Sequence, residues 1–162
     1  LDPGLAFGTG THPTTALCLD WLDAHPPVNK AVIDYGCGSG ILAIAAHKLG
    51  AASVTAVDID PQALQATRDN ALRNEIESGL TVSMPTENAD IRADLVIANI
   101  LANPLVELAD RLTRQLRSGG HIIMTGVMSD QADRVMAAYR HAIEFEAPVE
   151  RDEWVLLAGK KQ

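Results

Sequence analysis

One stretch constrains this chain more than any other. Val32-Ile33-Asp34-Tyr35 is a largely apolar strand that runs into Gly36-Cys37-Gly38-Ser39-Gly40, and Ile41 then opens an alanine-rich helix. Three alternate glycines allow a tight turn without a Cβ clash and let the backbone approach a ligand, while the next helix brings its N-terminal amides to the same point. The remaining sequence extends the alternation. Strands are predicted at 31–34, 53–57, 80–83, 94–98 and 121–125, with helices at 41–49, 61–74, 102–116 and 130–141. Helical connections imply right-handed crossovers and a parallel sheet. A covering helix at 14–24 precedes them, with Ala16, Leu17, Leu19 and Leu22 at helical spacing between Pro13 and Pro26-Pro27. Two closing strands, 144–149 and 154–159, are separated only by Glu150-Arg151-Asp152-Glu153, too few residues for a crossover helix, and so form a hairpin. The expectation is α/β: a mostly parallel seven-stranded sheet with one antiparallel strand and helices on both faces.

With 162 residues, the chain has the length of a single domain with a sizeable core. Hydrophobic residues make up 47%, yet no apolar run approaches the roughly 18 residues of a membrane span, and no signal peptide is visible. A soluble protein without a membrane partner is expected. Leu1-Asp2-Pro3-Gly4 reads as a turn entered from something upstream, so the expectation is a catalytic fragment of a longer protein. Cys18 and Cys37 fall in a predicted helix and in the glycine turn, which makes neither a disulfide framework nor a metal cluster and leaves a reducing cytosol as the default. The formal net charge of −8 favours basic partners and argues against a direct grip on nucleic acid.

The chemistry is read from four places. A dinucleotide fingerprint would carry glycine where this chain has Ile41, so Gly36, Gly38 and Gly40 in G-x-G-x-G form point to S-adenosylmethionine rather than NAD. Asp58 ends the second strand, where a ribose diol needs an acceptor. Its neighbour Asp60 precedes Pro61 and is read as a helix N-cap instead. Asn99 follows the fourth strand at the carboxyl edge of the sheet, in Asn99-Ile100-Leu101-Ala102, without the prolines and aromatic ring that would stack on a flat base; a flexible aliphatic amine fits better. Phe7-Gly8-Thr9-Gly10-Thr11-His12 reads as a glycine-hinged flap ahead of Pro13, Thr14 and Thr15, with His12 as a hydrogen-bonding residue at the helix start rather than a base.

Leu1 to Thr15, Asp34-Tyr35-Gly36-Cys37-Gly38-Ser39-Gly40-Ile41-Leu42 and Ala98-Asn99-Ile100-Leu101 together closely resemble the bacterial methyltransferases of ribosomal protein L11, the PrmA family, across essentially the whole chain. The resemblance implies a Rossmann-like class I methyltransferase fold and a catalytic domain over residues 1–162, lacking the family's N-terminal substrate-recognition domain. It also implies S-adenosylmethionine as cofactor, held at Thr15, Gly36, Asp58 and Asn99 beside the Gly38 read from the turn. The implied reaction is methyl transfer to lysine side chains and an N-terminal amine of ribosomal protein L11, with Asn99 orienting the amine. Readings that stay open are a methyltransferase for another protein or small amine, a non-catalytic cofactor-binding module, and an NAD-dependent oxidoreductase.

Overall fold

The computed structural model describes residues 12–162, and the Phe7–Thr11 part of the predicted flap lies outside them. Sequence alternation sets the architecture. β1 (Ala31–Tyr35) leads through α2 (Ile41–Lys48) to β2 (Ser53–Val57), and α3 (Pro61–Arg73) leads to β3 (Leu80–Ser83), each strand parallel to the one before. The chain then returns to the other side of β1. There β4 (Ala93–Asn99) pairs parallel with β1, and β5 (Leu116–Met128) pairs parallel with β4. Because the order reverses around β1, the carboxyl ends of β1 and β4 flank a topological switch point, where open α/β sheets bind ligands.

The sheet divides the core by alternation along its strands. On one face α1 (Pro13–Ala24), α2 and α3 bring Leu17, Cys18, Leu22, Leu42 and Leu64 onto Val32, Ile97 and Ile123. On the other, α4 (Ala102–Glu107), α5 (Ala109–Gln115) and α6 (Ala132–Tyr139) bury Leu105, Leu112 and Tyr139 against Ile33, Tyr35 and Met124. The predicted helix 102–116 is thus two helices meeting at Leu108, and its last residue begins β5. A one-turn 3-10 helix (Ser129–Gln131) takes the start of the predicted helix 130–141.

The far edge departs from expectation. The predicted strand 144–149 is split into β6 (Ile143–Phe145) and β7 (Val149–Arg151), giving eight strands rather than seven among the described residues; both pair antiparallel with β8 (Trp154–Lys161). Phe145 pairs with Gly159 but Val149 with Leu156, so the β6–β7 side carries one more residue than its partner. That bulge contains Pro148, which has no N–H to donate to a ladder. β8 also runs antiparallel to β5, which makes it the expected reversed strand. The hairpin turn contracts to Asp152-Glu153, with φ of 51° and 71°, the backbone of a two-residue primed turn.

Tyr139 locks the second core. Its fully buried hydroxyl donates to the Leu105 carbonyl at 2.6 Å and so ties α6 to α4. Replacing Tyr139 by Phe should lower stability by about 1–2 kcal/mol in urea denaturation, the worth of one buried hydrogen bond; an unchanged midpoint would show that the bond contributes nothing.

Candidate functional site

The turn after β1 is built from the end of β2 and from α3. The Val57 carbonyl accepts the amides of Gly36 (2.7 Å) and Cys37 (3.0 Å), and Asp58 Oδ2 accepts the Gly38 amide at 3.0 Å. From α3, Thr67 donates its hydroxyl to the Gly38 carbonyl at 3.0 Å and Asn70 its amide to the Ser39 carbonyl at 2.9 Å. Gly36, Gly38 and Gly40 sit at φ of 79°, 55° and 86°, and a Cβ on Gly36 would lie 2.4 Å from the Ile100 side chain. Glycine is therefore required for both backbone conformation and space.

Under this turn, at the switch point, lies a cavity of about 210 Å³ lined by Thr15, Asp34, Gly36, Cys37, Gly38, Ile41, Leu42 and Asn99. The structure thus gathers four of the five sequence candidates, Thr15, Gly36, Gly38 and Asn99, around one space. The fifth, Asp58, stands outside the lining. Its Oδ2 braces Gly38 and its Oδ1 accepts the Asp60 amide at 3.0 Å, while Ile59 beside it is 74% exposed. Asp60 caps α3 by accepting from the Gln62 amide at 2.9 Å, with Pro61 in the first turn, as its sequence context predicts. His12 is likewise the N-cap of α1: its Nδ1 accepts from the Thr14 amide at 3.2 Å and lies 2.7 Å from the Thr14 hydroxyl.

The sequence places Asp34 in the first strand and in the family-like stretch without giving it a role, yet it is the most unusual group in the site. It is 1% exposed, and neither carboxylate oxygen makes a hydrogen bond of good geometry, the Ala43 amide in the first turn of α2 being only a weak approach. The Thr15 hydroxyl, buried on α1 above the same face, is also unpaired. Burial pushes the Asp34 carboxyl up to about 7; the Ala43 amide in the first turn of α2 opposes the rise and the charge of Asp58 adds to it. The same burial, with the charge of Asp34, raises the thiols of Cys18 and Cys37, the latter to about 12, so neither thiol is a nucleophile near neutrality. A signal for Asp34 was present: a lone carboxylate inside a buried strand is expensive unless something pairs with it.

The folded chain holds the Asp34 proton to about pH 7, whereas an aspartate ordinarily titrates near 3.8. The unfolded chain therefore binds fewer protons between those values, and stability falls as pH rises from about 4 to about 7, with no further loss above. Asp34→Asn should remove this slope. Relative to the parent, the variant should gain stability over that window, by at most about 4 kcal/mol at roughly 1.4 kcal/mol per pH unit, in urea denaturation at several pH values. A difference that does not change with pH would contradict the assignment.

The family model for ribosomal protein L11 methyltransferase (PrmA) matches residues 1–162. Relatives of that name include those of Methylococcus capsulatus, 57% identical over 163 residues (100% of this chain, 56% of the relative), and Chromohalobacter salexigens, 58% identical over 162 residues (99% and 54%). The chain spans about half the length of the curated relatives it matches. The crystal structure of the ribosomal protein L11 methylase of Lactobacillus delbrueckii subsp. bulgaricus is similar at a TM-score of 0.89 and 36% identity, covering 100% of this chain and 84% of that one. N-methyltransferase NodS of Bradyrhizobium japonicum, in complex with S-adenosyl-l-homocysteine, has a TM-score of 0.73 at 14% identity, covering 93% of this chain and 89% of that one, a likeness of fold alone. The sheet order and these neighbours make the fold Rossmann-like, of class I methyltransferase type.

Proposed function

Because the chain belongs to the ribosomal protein L11 methyltransferase family, we propose that residues 1–162 are the catalytic domain of a protein N-methyltransferase that uses S-adenosylmethionine and acts on amines of ribosomal protein L11. The observation that carries the reading is the pair of buried, unpaired groups facing one cavity, the Asp34 carboxylate and the Thr15 hydroxyl. They fit the amino-acid end of the cofactor: Asp34 offers a carboxylate to an ammonium, and Thr15 a hydroxyl to a carboxylate. A cavity of about 210 Å³ is smaller than the roughly 300–1,000 Å³ of most ligand sites, so it suits one end of such a molecule. The nucleoside end would lie over Gly36 and Gly38, with Asp58 accepting the ribose hydroxyls on its remaining lone pairs and exposed Ile59 lying against the base.

When bound, S-adenosylmethionine supplies a methyl group on a sulfonium, transferred by in-line displacement. The protein's share is then alignment, which can supply roughly 7–11 kcal/mol. The amine must arrive neutral. From a lysine of pKa about 10.4 this costs roughly 4.6 kcal/mol at pH 7, and from an α-amine near 7.8 about 1 kcal/mol. Desolvation at the sheet edge lowers the lysine pKa. His12 serves as a helix cap, so no dedicated base is invoked, and Asn99 orients the amine by accepting from its N–H. An acidic chain of net charge −8 suits a basic protein substrate in the cytoplasm and needs no direct nucleic-acid contact. No described helix is long and apolar enough to cross a membrane.

Two measurements test this reading. Incubation with isotopically labelled S-adenosylmethionine and ribosomal protein L11 should add whole methyl groups to lysine or N-terminal amines, read by mass spectrometry; label on neither, with cofactor bound, would leave only a cofactor-binding module. In calorimetry, Asp58→Ala should weaken S-adenosylmethionine binding about 10- to 100-fold, the loss of charge-assisted hydrogen bonds worth about 1.5–3 kcal/mol each. Unchanged affinity would remove Asp58 from the site.

A further inference from the structure

Thr125 is a second buried hydroxyl without a partner, and it lies behind the site rather than in it. It is 0% exposed on β5, and its Oγ1 makes no hydrogen bond. Its register partner on β4 is Asn99, so the two side chains stand on the same face of the sheet, on neighbouring strands about 4.8 Å apart. Asn99 lines the cavity with Gly36 on its other flank, since β1 and β5 lie on opposite sides of β4.

The backbone fixes this juxtaposition. The Ile100 amide donates to the Thr125 carbonyl at 3.1 Å, and Gly126, at φ of 91°, passes so close that a Cβ there would lie 2.1 Å from the Ile100 carbonyl oxygen. The ends of β4 and β5 therefore pack backbone against backbone beside the hydroxyl. Apolar residues fill the neighbouring positions of β5, Ile123, Met124 and Val127, and a valine at 125 would match threonine in shape without burying a polar atom. An unpaired hydroxyl here is unfavourable unless another state of the site gives it a partner.

We infer that Thr125 is a positioning residue that sets the orientation of the Asn99 side-chain amide. The inference rests on the reading of Asn99 as the group that receives the acceptor amine. A neutral amine attacking with its lone pair presents N–H donors to its surroundings, so Asn99 must aim its carbonyl at the cavity. Its NH2 then points away from Gly36, toward β5, and needs an acceptor. The Thr125 hydroxyl oxygen is that acceptor, reached by rotation of the Asn99 side chain. Without it the amide is free to flip and present NH2 to the amine, which blocks productive orientation without touching the cofactor.

The test uses the 162-residue chain with Thr125→Val and Thr125→Ser. With S-adenosylhomocysteine as the bound probe, the Asn99 side-chain NH2 signals in nitrogen-15 NMR should exchange slowly with solvent in the parent and in Thr125→Ser, and at least 10-fold faster in Thr125→Val. In methyl transfer, Thr125→Val should lower kcat about 10-fold with the S-adenosylmethionine dissociation constant within twofold, and Thr125→Ser should recover most of it. Unaltered protection of the Asn99 amide in Thr125→Val overturns the inference whatever happens to kcat. If the parent binds the probe yet methylates no amine, the functional reading fails while the exchange comparison still decides the role of Thr125. Should Thr125→Val not fold, Thr125→Ala replaces it with the same readouts.

Discussion

Everything in the site depends on the end of β2 holding the turn that follows β1. The Val57 carbonyl and the Asp58 carboxylate take the amides of Gly36, Cys37 and Gly38, and Thr67 and Asn70 of α3 take the carbonyls of Gly38 and Ser39. A glycine turn left alone is conformationally loose; here its polar groups are engaged on both sides, and the φ values it needs exclude side chains. The consequence is chemical. Amides already committed to β2 are poor ligands, so in the proposed site recognition falls to the turn's shape and to side chains around it: Asp34, Thr15 and Asn99.

Those side chains share a physical condition. Asp34 and Thr15 are buried without partners, and Thr125 repeats the pattern one strand beyond Asn99. A folded chain that keeps unpaired polar atoms in its interior gives up stability; others lie at Trp21, Arg111 and Gln115, but Asp34 and Thr15 face one cavity at the switch point, as the proposed site for a polar, cationic ligand requires. The raised carboxyl of Asp34 expresses the same fact as a proton affinity. A cation in the cavity favours the ionised form, so ligand binding and proton release at Asp34 are linked.

Much of this was legible in the sequence. The glycine turn, the Asp60-Pro61 helix start and the alternation of strands and helices each rest on local backbone chemistry, and local rules hold there. Asp58 and Asn99 stand out as candidates because both close strands whose apolar runs are easy to see; Asn99 lines the cavity, whereas Asp58 braces the Gly38 amide outside it. Asp34 was missed because a motif directs the eye to its glycines, although a carboxylate between Ile33 and Tyr35 is out of place in a buried strand. Thr125 could not have been found, because its importance comes from register with Asn99, which no local pattern encodes. The split of the predicted 144–149 strand was foreshadowed by Pro148, but the extra residue that makes the bulge emerges only from pairing with β8.

The central claim is that the cavity between Asp34, Thr15 and the glycine turn receives the amino-acid end of S-adenosylmethionine. A crystal structure of this chain with S-adenosylhomocysteine tests it most directly. The ligand's ammonium should lie within hydrogen-bonding reach of the Asp34 carboxylate, its carboxylate near the Thr15 hydroxyl, and its ribose on Asp58. A ligand seated elsewhere, or one that leaves Asp34 and Thr15 unpaired, would contradict it.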